Sequence, residues 1–346
     1  MKDQRIQTFR AMAIIAVVMV HTMPPGNWQI FLRPLINFPV ATFLFLSGYL
    51  TRESNENWSA FYRRRLSRIA VPYIVWTVIY SLPDISSSGL IALAKNLVSA
   101  NACGTLYYIF VYAQFVLLTP FLFKLAKSRY RYLGWLIAPV SVLLFKYYGY
   151  SFGIHTNKYL YLLWSDLCLG WFTFYYLGLL LGNKIINKKY NLPTLTIVYA
   201  VSIVLQMIEG YIWAKLDAGN CGSQLKLSSL LSSSIFVLIL YTLLQSNTFQ
   251  PRSRILTLIG EYSFGIYLSH ILCLRILEQS IGYKTIPYPF DGVILLSVCA
   301  LFNWIIKLFS GKRIAKLIQK PSSSTKSLER QRKNATFYPH RTCKSS

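Results

Sequence analysis

Long apolar runs separated by short polar stretches dominate the pattern along the chain. Each run approaches the roughly 20 residues that an α-helix needs to cross a bilayer. The pattern therefore predicts an all-α, polytopic membrane protein with about ten transmembrane helices. The predicted spans cover residues 9–24, 35–51, 69–83, 105–123, 132–148, 165–183, 193–214, 227–245, 257–277 and 290–309.

The stretch 86–100 differs from these spans because it is amphipathic and interrupted. It predicts an interfacial or re-entrant segment between the third and fourth spans.

Composition excludes a soluble protein. The chain is 54% hydrophobic and 14% charged, whereas soluble domains carry about 25% charged residues. No small-residue cleavage site follows the first apolar run, which is therefore interpreted as a span and not as a signal peptide.

The net charge of +25 follows the predicted topology. With the N-terminus inside, the inner segments hold 28 of the 36 Lys and Arg residues. This is the positive-inside pattern, and it places both termini in the cytoplasm. It also explains the basic charge without nucleic acid as a partner. Residues 1–320 are predicted to form the membrane domain, and the polar, basic stretch 321–346 a disordered cytoplasmic tail.

Two ionisable residues lie on the first span. Arg10 and His21 are eleven positions apart, which places them on one helical face about 16 Å apart along the axis. An ionisable residue inside a bilayer is costly, and it indicates a functional site by default. The alternative is structural: His21 bonds a neighbouring helix, while Arg10 extends to a lipid headgroup.

The inner segment before the third span carries Arg63, Arg64, Arg65 and Arg68. Such a basic loop commonly anchors the topology on anionic lipid. Guanidinium groups also bind phosphate through paired hydrogen bonds. The absence of Lys from this cluster favours a polyphosphorylated cytosolic ligand.

Three weaker motifs follow. In FLFLSGYL, Ser47 and Gly48 permit close helix packing or close approach of a ligand. Tyr107 opens the fourth span, as a membrane-interface aromatic or as a platform for a sugar ring.

In the ninth span, Ser263, Tyr267 and His270 share one helical face. They either hydrogen-bond to other helices or line a substrate path. There is no GxSxG, Walker A, GxGxxG, HExxH or CxxC motif, which argues against a metal site and against an NTP-driven pump.

The order of these motifs resembles the acyltransferase-3 family of bacterial integral-membrane acyltransferases. The order is Arg-x10-His, FLFLSGYL, RRRLSRIAVPYIVW, LYYIFVYAQFVLLTPFL and GEYSFGIYLSH. The resemblance covers about residues 5–310. It implies transfer of an acyl group, usually acetyl from cytosolic acetyl-CoA, to a hydroxyl of a cell-surface polysaccharide or lipid-linked glycan in the bacterial inner membrane.

The resemblance also implies roles for particular residues. The family's Arg–His pair falls on Arg10 and His21, expected here to be catalytic. Its arginine-rich loop falls on 63–68 and its SG on Ser47 and Gly48, all expected to contact acetyl-CoA. Tyr107, Ser263, Tyr267 and His270 are the expected acceptor-lining residues. Acetyl-CoA enters as a substrate, and no bound cofactor is expected.

Two positions depart from the family pattern. Gln7 stands where many relatives have Asp, which removes an acidic partner for Arg10. Tyr107 stands where many have Trp, which keeps an aromatic side chain of smaller size. Two other functions remain open, a transporter or flippase of glycan intermediates and a structural subunit of a polysaccharide synthase, although no inverted repeat or pair of broken helices favours a transporter.

Overall fold

Helices form the regular secondary structure of the described part of the chain. The computed structural model describes residues 3–53, 57–153, 167–246, 249–280 and 282–318, and only the backbone of 84–88, 218 and 310–318. In chain order the helices are α1 (Gln4–Thr22), α2 (Asn27–Phe31), α3 (Pro39–Leu50), α4 (Trp58–Ser99), α5 (Tyr107–Lys127), α6 (Ile137–Val142), α7 (Gly149–Ser151), α8 (Phe172–Gly182), α9 (Leu192–Leu216), α10 (Leu227–Gln245), α11 (Arg254–Gln279) and α12 (Phe290–Ile318).

Six described segments are long and apolar enough to cross a membrane. They are Trp58–Pro83, Tyr107–Lys127, Leu192–Leu216, Leu227–Gln245, Arg254–Gln279 and Phe290–Phe309. The all-helical, multi-span membrane class is therefore confirmed. The count of ten spans and the cytoplasmic placement of both termini stay predictions.

Of the other predicted spans, the first lies in α1, an unbroken helix of 19 residues that is not among these six, and the rest are helical but shorter or broken. Helix α3 has 12 residues, and the stretch 132–148 combines a 3-10 turn (Arg131–Trp135), α6 and a π-helical segment (Leu143–Tyr148). The sixth predicted span begins outside the described residues, and α8 covers its later part. The predicted tail 321–346 also lies outside the described residues.

Helix α1 has clear start and stop signals. The Asp3 carboxylate caps it by accepting a hydrogen bond from the Arg5 backbone N–H at 2.9 Å, and it forms an ion pair with the Arg5 guanidinium at 2.9 Å. The helix ends at Thr22, just before Pro24 and Pro25, which cannot continue its hydrogen-bonding pattern.

Helix α1 packs closely against α11. A Cβ atom placed on Gly260 would lie 2.0 Å from the Gln7 carbonyl oxygen. Only a glycine permits this approach of two helix backbones. Further along α1, Gly292 of α12 lies where a Cβ would be 2.6 Å from the Met19 sulfur.

A second close pair joins α3 and α8. A Cβ on Gly48 would lie 2.1 Å from the Tyr175 carbonyl oxygen, and Cβ atoms on Gly178 and Gly182 would each lie 2.2 Å from carbonyl oxygens of α3. Glycines from both helices therefore interlock, and the neighbouring residues of both helices belong to the buried core.

The amphipathic stretch after the third span folds back on it. Helix α4 breaks at Gly89, whose φ of 69° and ψ of −165° are not helical. The segment after the break returns along the first, since Asn96 Nδ2 donates to Ser81 Oγ at 2.9 Å and Tyr73 Oη donates to the Leu97 carbonyl at 2.8 Å. The structure thus favours the re-entrant alternative for 86–100.

The compact unit that contains these contacts ends at Ala300. The described residues from Leu301 onward belong to a second unit and form the C-terminal part of α12.

We predict that Gly178→Ala and Gly182→Ala each destabilise the fold. The new methyl group meets a backbone carbonyl that cannot rotate away, so the two helices must separate, at a cost of about 1–3 kcal/mol. Thermal unfolding of the detergent-solubilised protein measures this. Gly104→Ala is the control, because a Cβ there has no neighbour within 4 Å. Equal melting temperatures for all three variants would contradict the proposed backbone contact.

Candidate active site

His21 and His270 lie side by side. Their ring centroids are 5.0 Å apart, with an angle of 54° between the planes. The contact follows from the packing of α1 on α11, since one ring comes from each helix. Sequence reasoning singled out both histidines but had no basis for pairing them.

The two rings differ in their surroundings. His21 is exposed and lines a cavity, whereas His270 is fully buried. Nδ1 of His270 lies 2.7 Å from the Tyr267 carbonyl oxygen, and a carbonyl can only accept, so Nδ1 carries the proton. Its Nε2 is then a bare acceptor, and it has no partner among the described residues.

The cavity beside His21 has a volume of about 440 Å³. Tyr107 and Trp171 supply aromatic surface, with ring centroids 6.4 Å apart. Arg33 supplies a positive charge, and residues 219, 220 and 222–225 supply amide and backbone groups. All these segments belong to the end of the bundle that the charge pattern predicts to face outward.

Several polar atoms of the cavity-lining residues lack partners. Arg33 Nε, Trp171 Nε1 and Gln224 Oε1 are buried and make no hydrogen bond to any described residue. Most buried polar atoms in proteins are satisfied. Unsatisfied donors and an acceptor around one cavity suit a polar ligand with many hydroxyl groups.

Two buried lysines hold one wall of the cavity. Lys146, in the π-helical segment, donates to Asn220 Oδ1 at 2.7 Å, and Lys226 donates to the Cys221 carbonyl at 2.6 Å. Burial lowers the pKa of Lys226 to about 8, while the nearby Glu209 carboxylate acts in the opposite direction. These bonds fix the loop that carries the amide groups.

Arg10 lies on α1, the same helix as His21, but it belongs to a polar cluster that is separate from the cavity. The hydroxyl groups of Tyr108 and Tyr112 are within electrostatic reach of its guanidinium, and Ser47 hydrogen-bonds Tyr108. Among the described residues no carboxylate lies within ion-pair distance of Arg10. Arg10 is half-buried, so its charge is available to an anionic ligand.

The four clustered arginines lie on α4 itself and not in a loop before it. Arg63, Arg64 and Arg68 are exposed, whereas Arg65 is half-buried. The Arg65 guanidinium lies 5.6 Å from the centre of the Phe61 ring and within electrostatic reach of Tyr175. Tyr175 in turn interacts with Tyr112, which connects Arg65 to the Arg10 cluster.

The structure divides the other predicted residues into two groups. Tyr107 and Tyr267 line the cavity, whereas Ser263 does not, and His270 lies behind His21. Gly48 packs closely against α8. This contact alone is enough to explain why a glycine stands at this position. Donor contact at Ser47 and Gly48 stays a prediction.

Sequence reasoning missed Arg33, Trp171 and Gln224. Arg33 was the one detectable among them, because it is a lone charge between the first two apolar runs and is followed by Pro34. Trp171 and Gln224 carried no signal, since aromatic and amide residues are common at helix ends.

Comparison with known proteins identifies the family of this chain. No curated protein matches the chain, and no solved structure matches it. The family model described as an acyltransferase domain matches residues 3–308, which include every site residue described above. The chain therefore belongs to the acyltransferase-3 family.

Proposed function

We propose that this protein is a membrane O-acetyltransferase of the bacterial inner membrane. It moves an acetyl group from cytosolic acetyl-CoA to a hydroxyl of a cell-surface polysaccharide or its lipid-linked precursor. The observation that carries the proposal is the position of His21. It is exposed in a cavity that also contains polar side chains, and it lies on the same helix as Arg10, which has no acidic partner among the described residues.

His21 is the general base in this proposal. A sugar hydroxyl is a weak nucleophile, and a neutral imidazole accepts its proton as the oxygen attacks the thioester carbonyl. The new C–O bond forms and the C–S bond breaks. The CoA thiolate leaves and takes the proton from the imidazolium, which restores the neutral histidine.

His270 is a positioning residue. Its Nε2 makes no hydrogen bond to any described residue in this structure, and we propose that an N–H of His21 turns toward it in the reacting complex, which leaves the other His21 nitrogen unprotonated and ready to act as base. The full burial of His270 favours this role over the direct contact with substrate that the sequence suggested. A buried acceptor that fixes the tautomer of a catalytic histidine is familiar from serine hydrolases.

Arg10 and the α4 arginines act on the donor. Arg10 lies about 16 Å from His21 along the helix axis, which is of the order of the length of a pantetheine arm. Arg10 binds donor phosphate or pantetheine or stabilises the developing oxyanion. Arg63, Arg64, Arg65 and Arg68 hold the phosphorylated adenosine end at the cytoplasmic face.

We predict that His21→Ala lowers the rate of acetyl transfer by about 100-fold to 10,000-fold, because that is the usual contribution of a general base. The assay follows label from radioactive acetyl-CoA into acceptor glycan in membranes. Met12→Ala is the control, since Met12 lies on the same helix with its side chain outside the core.

Transfer that persists in folded, inserted His21→Ala protein would contradict this mechanism. A transporter or a structural subunit predicts a different result in cells that lack the protein. The whole surface polymer would then be lost, whereas the proposed enzyme predicts loss of acetyl groups alone.

We also predict that Arg65→Gln raises the KM for acetyl-CoA about tenfold, because a hydrogen bond to a charged group contributes about 1.5–3 kcal/mol. Steady-state kinetics at varied acetyl-CoA measures this. Lys124→Gln removes an exposed positive charge from the corresponding end of α5 and is expected to leave the KM unchanged. An equal effect of both variants would assign the Arg65 result to general surface charge.

A further inference from the structure

Arg33 is the one Lys, Arg, Asp or Glu among the described residues that line the cavity of His21. It begins the 3-10 turn Arg33–Ile36, between α2 and α3. Neither the family match nor the sequence motifs give it a role. A lone positive charge in the cavity favours a ligand that carries negative charge.

The guanidinium of Arg33 is only partly satisfied. Its Nη1 donates to Gln29 Oε1 at 2.6 Å, whereas its Nε has no hydrogen-bond partner among the described residues. No described carboxylate lies within ion-pair distance of it. The Nε edge is one with which arginine forms paired hydrogen bonds to carboxylate or phosphate oxygens.

Its neighbours hold the side chain in place. Gln29 donates to the carbonyl oxygens of Met23 and Pro24 at 3.3 and 3.1 Å. Gly222 lies against the Arg33 stem so closely that a Cβ there would be 2.7 Å from Arg33 Cδ. A charged side chain fixed before binding loses little entropy when a ligand arrives.

The nearby acidic groups are already engaged. Asp217 accepts from the Gly219 N–H at 3.0 Å and from Asn220 Nδ2 at 2.6 Å. Glu209 accepts from the Ser228 N–H at 2.9 Å and also bonds Tyr147. Lys226 adds a second positive charge within electrostatic reach of Arg33. Because Arg33 lines the cavity and Asp217 and Glu209 do not, the charge nearest to a bound ligand is positive, and an anion is favoured there.

We infer that the acceptor carries an acidic group, a carboxylate or a phosphate, which Arg33 binds while a neighbouring hydroxyl lies at His21. This inference rests on the proposed function, since it names the acceptor class of the same site. Tyr107 and Trp171 provide the surface on which the sugar ring lies, and Gln224 offers an acceptor to its hydroxyl groups.

The test measures binding of three small probes to the purified full-length protein by calorimetry. Methyl glucuronide carries a carboxylate, glucose 6-phosphate carries a phosphate, and methyl glucoside is neutral. Wild-type protein is expected to bind at least one acidic probe about tenfold or more tighter than the neutral one. The acidic probe that binds more tightly identifies which anion the cavity accepts. Equal binding of all three probes by the wild type would overturn the inference.

Variants then assign the preference to Arg33. Arg33→Gln is expected to abolish it, and Arg33→Lys to retain part of it. Lys215→Gln is the matched control, because it removes an exposed positive charge at the adjoining end of α9 without lining the cavity. A preference that survives Arg33→Gln would overturn the role of Arg33, and Arg33→Lys supplies the same comparison if the glutamine variant does not fold.

Acetyl transfer to the same probes separates this inference from the proposed function. Transfer without a preference for acidic probes would overturn the acidic acceptor and leave the acetyltransferase standing. Arg33-dependent binding of an anion without any transfer would overturn the acetyltransferase and leave the anion site standing.

Discussion

The close contact between α1 and α11 is the constraint on which the site depends. Gly260 lets the backbone of α11 approach the Gln7 carbonyl, because any Cβ at that position would overlap it. A separation larger by one methyl group would part the histidine rings, which now lie 5.0 Å apart. In a bilayer such contacts cannot rely on the hydrophobic effect, since lipid is as apolar as the helices themselves. Small residues and tight packing supply the attraction.

Arg10 and Arg33 are half-buried cations that have no acidic partner among the described residues. Arg10, on α1, lies near the hydroxyl groups of Tyr108 and Tyr112. Arg33 lines the cavity beside His21, near the C-terminal end of α1. A structural arginine inside a membrane protein would normally be paired, because an unpaired charge is costly there. Both residues can therefore receive a ligand that brings negative charge, and the proposed function assigns Arg10 to the donor and Arg33 to the acceptor.

Much of this arrangement was predictable from the sequence, for identifiable reasons. The length of the apolar runs predicted the long helices, and the Arg-x10-His spacing placed two site residues on one helical face. The spacing could not reveal the pairing of His21 with His270, because that depends on a contact between helices far apart in sequence. Gly48 was open to a packing and to a ligand interpretation, and its close contact with α8 bears out the packing while donor contact stays a prediction. Arg33 belonged to no motif, and the sequence could not show that its Nε lacks a hydrogen-bond partner among the described residues, because that depends on how distant segments pack.

Two buried lysines that do not themselves line the cavity anchor one of its walls. Lys146 and Lys226 hold the 219–225 loop through the Asn220 side chain and a backbone carbonyl. The side chain of Gln224 takes no part in these two bonds. A substitution at Gln224 therefore changes a side chain that lines the cavity, while these two anchoring bonds and the helices that carry His21 and His270 stay in place.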